Sequence, residues 1–270
     1  MSHNFKDQVV VIAGGGGGIG KASARRFLAE GARVVLSGTR SAVLEQAQVE
    51  IDPSGERTLI HAGHITTREQ AGNLVERALD RFGGVDVLVN STGIFRPVPF
   101  AEQTEEHLEE ALGSILRPTF WVSQAVVEPM RVRGGGAIVN VGSMWALDAI
   151  ATTPTSVYSM AQAGRHSLTK NLAIELAADR IRVNTVALAF VETPAYERFM
   201  TPEEARAVLE SVDAFHPLGR HGKPADVVEA VLFLASGDAA WITGATLPVD
   251  GGVLAGRSPA VQPEVAEAAA

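Results

Sequence analysis

The sequence predicts a single α/β domain built on a doubly wound parallel sheet of about seven strands. Short runs rich in Val, Ile and Leu alternate with amphipathic stretches, the runs are apolar almost without interruption, and a glycine cluster joins the first run to the first amphipathic stretch. A strand covered by helices on both faces has no solvent side to make polar, so uninterrupted apolar runs point to a parallel sheet. Right-handed βαβ crossovers are the connections such a sheet requires.

Taken in order, strands are predicted at Val9–Ala13, Arg33–Ser37, Arg57–His61, Val85–Asn90, Ala137–Val141, Ile181–Ala187 and Thr246–Val249. Helices are predicted at Ile19–Glu30, Ser41–Glu50, Arg68–Phe82, Glu105–Arg131, Val157–Asp179, Pro202–Val212 and Ala225–Ser236. Pro118 falls inside the fourth of these, and a proline there removes a backbone donor, so a kink or break is expected. The segment between Thr193 and Phe215 carries Tyr196, Phe199, Met200 and Val208, the makings of an apolar lid. The domain is expected to span residues 1–253. From Leu254 onward the chain is rich in Ala, Pro and Glu with no apolar period, which reads as a flexible C-terminal tail.

Composition narrows the function classes. A net charge of −8, with the basic residues scattered, gives no electrostatic reason to approach nucleic acid or an anionic membrane. No apolar run reaches the roughly 20 residues of a membrane span, and the start lacks an apolar signal segment, so a cytoplasmic location is expected. There is no cysteine, and the histidines stand without paired ligand spacing, so no metal site is expected. A small-molecule substrate is the partner left.

The chemistry begins directly after the first strand, at Gly14-Gly15-Gly16-Gly17-Gly18-Ile19-Gly20. Glycine lets a backbone turn sharply and approach a pyrophosphate, whose charge then sits against the amides and positive dipole end of the following helix. Gly14, Gly18, Ile19 and Gly20 are therefore candidate dinucleotide contacts. An acid at the end of the second strand would chelate the adenosine ribose of NAD, but this chain reads Ser37-Gly38-Thr39-Arg40. Arg40 could hold a 2′-phosphate, which tilts the cofactor toward NADP over NAD, or it could be a solvated loop residue. Asn90-Ser91-Thr92-Gly93 ends the fourth strand and Ile138-Val139-Asn140-Val141-Gly142-Ser143 the fifth, where the ligand crevice of a doubly wound sheet lies. Tyr158-Ser159-Met160-Ala161-Gln162 then opens a long helix.

Together these segments resemble the short-chain dehydrogenase/reductase family, a Rossmann-like fold, from about Lys6 to Val253. The resemblance implies an NAD(P)-dependent oxidoreductase that reduces a carbonyl or oxidises an alcohol on a small molecule. Under it, Ser143 polarises the substrate oxygen and Tyr158 exchanges a proton with it. It also assigns the cofactor site to Gly14, Gly18, Ile19, Gly20, Arg40, His64 and Ile65 at the adenine, Asn90, Gly93, Tyr158, Gln162 and Thr193. The chain departs from the family pattern at several of these places. Gln162 stands where the family's Tyr-x-x-x-Lys motif has its lysine, Ile115 where its active-site Asn lies, His64 where an Asp contacts adenine, Ala13 where a Thr precedes the glycines, and Leu188-Ala189 where Pro-Gly follows the sixth strand.

The lysine's charge lowers the tyrosine pKa, and Gln162 carries none. An unperturbed tyrosine, with a pKa of about 10, presents phenolate in about one molecule in a thousand near neutral pH, so oxidation should suffer more than reduction. From the sequence, Gln162→Lys should therefore raise alcohol oxidation. Arg165 lies on nearly the same helix face as Tyr158 but roughly 10 Å further along; its side chain leans back toward the tyrosine and could stand in for the lysine, while the more ordinary reading is a surface or interface arginine; Lys170 is farther and off that face. The gaps at Ile115 and Gln162 keep a second reading open, a dinucleotide-fold binding or regulatory protein, or non-redox chemistry with Ser143 and Tyr158. Wide apolar faces on the fourth and fifth long helices imply a homodimer or homotetramer.

Overall fold

The computed structural model describes residues 3–150, 153–196 and 200–256. Seven strands form one sheet: β1 (Val9–Ala13), β2 (Arg33–Gly38), β3 (Thr58–Ala62), β4 (Val87–Asn90), β5 (Gly136–Ser143), β6 (Ile181–Leu188) and β7 (Thr246–Val249), in the order β3-β2-β1-β4-β5-β6-β7. Every pair is parallel. The order reverses between β1 and β4, so the ligand crevice opens beyond Ala13 and Asn90, which are register partners.

Alternate residues of each strand enter opposite cores, which is why the strands read as uninterrupted apolar runs. Val10, Ile12, Val34, Leu36, Val87 and Val139 pack with Phe27 and Leu28 of α1 (Gly18–Ala29) and Val228 and Leu232 of α8 (Pro224–Ala235). On the other face, Val11, Val35, Leu88 and Ile138 meet Leu74 and Val75 of α3 (Arg68–Phe82), Val122 and Val126 of α5 (Arg117–Val132) and Ala173 of α6 (Ser156–Glu175). Each such side chain contributes about 1.5–3 kcal/mol on burial. Helices α2 (Ser41–Ile51) and α7 (Pro202–Ser211) complete the set with α4 (Glu105–Ala111).

The long fourth helix is interrupted, but the defect is spread over the turn before the proline. A π-helical segment, Leu112–Leu116, separates α4 from α5, which starts with Pro118 in its first turn. Pro118 has no N–H to offer the preceding turn, and the widened turn takes up the mismatch. The carbonyl of Ile115, one turn before Thr119, accepts from Thr119 Oγ1 at 2.6 Å.

Two expectations need correction. Leu254, assigned from sequence to the tail, packs against an aromatic cluster, and its N–H bonds Asp250 Oδ2 at 2.8 Å, so the fold runs past Val253. Of the residues read as an apolar lid, Tyr196 and Met200 join that cluster, Val208 faces solvent, and Phe199 lies outside the described residues.

Candidate active site

Two adjoining cavities open at the switch point. The larger, about 590 Å³, is lined by Gly14, Gly16, Gly17, Ser37 to Arg40, His64, Ile65 and Ser91 to Ile94. The smaller, about 140 Å³, is lined by Ile19, Trp145, Tyr158, Gln162, Leu188 and Thr193 among others, and shares Ser91, Thr92 and Gly93 with its neighbour. One elongated ligand can therefore thread both.

The glycine run makes the larger cavity. Gly14 has φ +89°, and a Cβ on it would collide with the Ser91 carbonyl, so the turn and β4 can close up only around a glycine. Ser37 holds that turn by accepting from the N–H groups of Gly14 and Gly15, both at 2.8 Å. A Cβ on Gly18 would lie 2.8 Å from Thr193 Cβ, so its absence lets Thr193 reach the first turn of α1. Gly20 is needed because α1 rests directly on the Gly14 carbonyl. This cradle, with helix N–H groups facing an elongated cavity and no side chain filling it, fits a dinucleotide. Arg40, His64 and Ile65 line the far end of the same cavity, with Arg40 and His64 exposed.

Of the sequence-predicted site residues, Gly18, Gly20, Asn90 and Ser143 line neither cavity; the two glycines shape the cradle from behind, and Asn90 lies beneath it. Asn90 is fully buried, donating from Nδ2 to Asn140 Oδ1 at 2.8 Å and to Ser123 Oγ at 3.1 Å. Asn140 in turn donates to Thr169, which pairs with Thr185. The ladder ties β4, β5, β6 and α6 together beneath the crevice, and the main chain after Asn90 faces the ligand.

Tyr158 stands at the wall of the smaller cavity, where Gln162 Nε2 donates to its Oη at 3.1 Å and Ser143 is a further polar neighbour of the hydroxyl. Burial pushes the Tyr158 hydroxyl above its ordinary value, while Ser143, Gln162 and the Arg165 charge pull it back down. Phe95 packs edge-on against the Tyr158 ring at 5.1 Å and leans on Trp145, which meets Phe190 in turn. Ser143 itself has no exposed surface; it ends β5 and caps the following 3-10 turn, its Oγ accepting from Trp145 N at 3.3 Å.

Sequence reasoning missed His166, which stood among the dispersed histidines. Its Nε2 accepts from the Ser143 N–H at 3.3 Å, and it can do so only because Gly142 has no Cβ to block the ring. That acceptor must be neutral. Burial first, then the charges of Arg165 and Lys170, push its pKa down to about 4. An unfolded histidine titrates near 6.5, so between these values the unfolded chain binds the extra proton. Stability from this group is complete above about pH 6.5 and falls by about 3 kcal/mol as pH drops to about 4. Urea unfolding of His166→Gln should therefore show about 3 kcal/mol less acid destabilisation over that window than the parent chain. Parallel curves would show that His166 protonates freely in the folded state.

Arg165 is the largest correction. It is 1% exposed, not a surface or interface residue. Its side chain leans back along α6, and Nη1 donates to Val141 O and, at 3.4 Å, to Gln162 Oε1. Nη2 reaches Thr92 O at 2.7 Å, Thr92 Oγ1 at 3.3 Å and Ile115 O at 3.3 Å, and Nε reaches Thr119 Oγ1 at 3.0 Å. Ile115, read from sequence as chemically silent, contributes its carbonyl here while its side chain packs beside Gly93. Lys170 is exposed.

Comparison with known proteins places this geometry. The family profile described as enoyl-(acyl carrier protein) reductase matches residues 14–254. A 3-oxoacyl-[acyl-carrier-protein] reductase FabG of Thermotoga maritima is 35% identical over 250 residues, 93% of this chain and 99% of the relative. A cis-4-hydroxycyclohexanecarboxylate dehydrogenase of Sinomonas cyclohexanicum is 35% identical over 256 residues, covering 94% and 100%. Among solved structures, levodione reductase superposes with a TM-score of 0.87 at 31% identity, covering 94% of this chain and all of that one. With profile, relatives and sheet order in agreement, the chain belongs to the short-chain dehydrogenase/reductase family.

Proposed function

We propose that the protein is a nicotinamide-dinucleotide-dependent oxidoreductase that reduces the carbonyl of a small, largely apolar molecule, and oxidises the corresponding alcohol less readily. The observation that carries this reading is Tyr158 Oη, held by Gln162 at the wall of an apolar cavity that continues into the glycine cradle. When bound, the dinucleotide supplies the hydride to the carbonyl carbon or takes it from the alcohol carbon. Tyr158 gives its proton to the substrate oxygen, and Ser143 orients the tyrosine hydroxyl. Ser91, Thr92 and Gly93 form the junction of the two cavities, with Ile19 and Thr193 on the side of the smaller one. The indole N–H of Trp145 is buried without an acceptor among the described residues, and an oxygen-bearing substrate in the cavity it lines would satisfy it.

The test is whether purified protein consumes NADPH or NADH with a panel of cyclic and open-chain ketones. Binding without turnover would favour instead a dinucleotide-fold binding or regulatory protein, or a non-redox use of Ser143 and Tyr158. Arg40 and the absence of an acid beside it support NADP over NAD. NADPH should bind at least as tightly as NADH, and Arg40→Ala should weaken NADPH about tenfold, a loss of about 1.4 kcal/mol, while leaving NADH nearly unchanged. Calorimetry with NADH tighter by about tenfold would reverse that assignment. Phe120 and Val132 on α5 and Met160 and Ile174 on α6 are exposed apolar residues, which supports association as a homodimer or homotetramer.

A further inference from the structure

We infer that Arg165 supplies the positive charge that stabilises ionised Tyr158, acting through the Gln162 amide. Resting on the oxidoreductase reading above, this makes Arg165 a positioning residue: it reaches the reacting oxygen only through Gln162. The link is a directed chain of hydrogen bonds. Arg165 Nη1 donates to Gln162 Oε1 at 3.4 Å, and Gln162 Nε2 donates to Tyr158 Oη at 3.1 Å. The charge draws electron density from the amide and strengthens its N–H as a donor, most when the tyrosine oxygen is negative.

The burial of Arg165 says why a mere brace is a poor account. A guanidinium taken out of water costs several kcal/mol unless it is paired. The six acceptors recorded for Arg165 are carbonyl, hydroxyl and amide oxygens, none of them charged. They satisfy its donors and leave its charge without a counter-charge among the described residues. A neutral side chain could bridge several of the same oxygens more cheaply. The group beside it that can become negative is Tyr158, two helical turns back on the same face, and the two are electrostatically coupled. Burial lowers the Arg165 pKa only to about 10, so the guanidinium stays charged at neutral pH.

The proton balance is simple. In carbonyl reduction the Tyr158 O–H bond breaks as the substrate oxygen takes the proton, leaving phenolate. Gln162 donates to that phenolate and Arg165 to Gln162, and neither loses a proton. Alcohol oxidation runs the same transfer backward from the phenolate.

The chain has two tyrosines, Tyr158 and Tyr196. In the full-length Tyr196→Phe background, tyrosinate absorbance therefore reads Tyr158 alone, without cofactor or substrate. Stopped-flow pH jumps would complete the reading before alkaline unfolding. Arg165→Met and Arg165→Gln should raise the Tyr158 midpoint by about one pH unit or more. In protein that turns over, the alkaline rise of kcat/KM for alcohol oxidation should move by the same amount. An unmoved midpoint in a folded neutral variant overturns the inference. Should both neutral variants fail to fold, citrulline introduced in place of Arg165 decides, since it keeps most of the donors and drops the charge: a midpoint raised by about one unit or more supports a role for charge, and an unmoved midpoint refutes it. The outcomes separate from those of the oxidoreductase reading. Absent turnover would refute that reading while the midpoint still shifted, and Tyr158-dependent turnover with an unmoved midpoint would refute only the role of Arg165.

Discussion

Tyr158→Phe is expected to lower kcat/KM for carbonyl reduction by about 10²- to 10⁴-fold, with dinucleotide affinity nearly unchanged. The phenyl ring keeps the edge-on contact with Phe95, so the variant removes the hydroxyl and leaves the wall in place. Tyr196 lines the same cavity, where burial first and the Tyr158 charge second raise its hydroxyl above the ordinary tyrosine value. The pH dependence follows from the direction of the Tyr158 shift. With its pKa above the ordinary tyrosine value, the proton-bearing phenol persists through neutral pH, so reduction should be level there and decline only at alkaline pH. Oxidation should rise where reduction declines. Initial rates in both directions from pH 6 to 10, with NADPH fluorescence titrations alongside, would check this. A Tyr158→Phe variant with unchanged turnover would remove Tyr158 from the role of proton donor.

Much of this was legible because it depends on local residue order. Uninterrupted apolar runs exist only where both faces of a strand are covered, so all seven strands could be placed from Val, Ile and Leu alone. The glycines at 14, 18 and 20 stand at places where a Cβ would meet backbone or Thr193, and steric need of that kind shows in sequence. What stayed hidden depends on where long side chains end. The backward lean of Arg165 toward Tyr158 was readable from helix geometry, but its complete burial was not, so the surface or interface reading was favoured. Its burial also required oxygens from β4, β5 and the π-turn, which come together only in the fold. His166 was hidden for the same reason, since its partner is a backbone N–H exposed by the missing side chain of Gly142. Asn90 sits at a crevice position, yet its side chain points into the sheet, and strand register alone did not show that Asn140 would be its neighbour.

Gln162→Lys, which returns the family's lysine to its place, is expected to destabilise the protein while Arg165 is present. The sequence alone suggested a gain in alcohol oxidation, because it showed one missing charge. The structure shows that a charge already stands beside the position, with Arg165 Nη1 at 3.4 Å from Gln162 Oε1 and both residues buried. Gln162 offers that guanidinium an acceptor oxygen, whereas an ammonium offers only donors. Two cations about 4 Å apart repel by about 4 kcal/mol at an effective dielectric near 20, a cost present in the resting protein, where Tyr158 is a neutral phenol and offers no compensating attraction. Gln162→Lys should therefore lose about 3 kcal/mol of stability, or its new amine should shed its proton near neutral pH. Adding Arg165→Met removes the repulsion, so the lysine should cost about 3 kcal/mol less in that background. A double-mutant cycle by urea denaturation measures the coupling directly. Alcohol oxidation at neutral pH should improve over the Arg165→Met single variant only in the pair, where one ammonium takes over from the amide and the guanidinium. A stable Gln162→Lys variant that oxidises alcohols faster with Arg165 intact would show that the two charges do not meet, and that Arg165 is too far from the tyrosine to govern its ionisation.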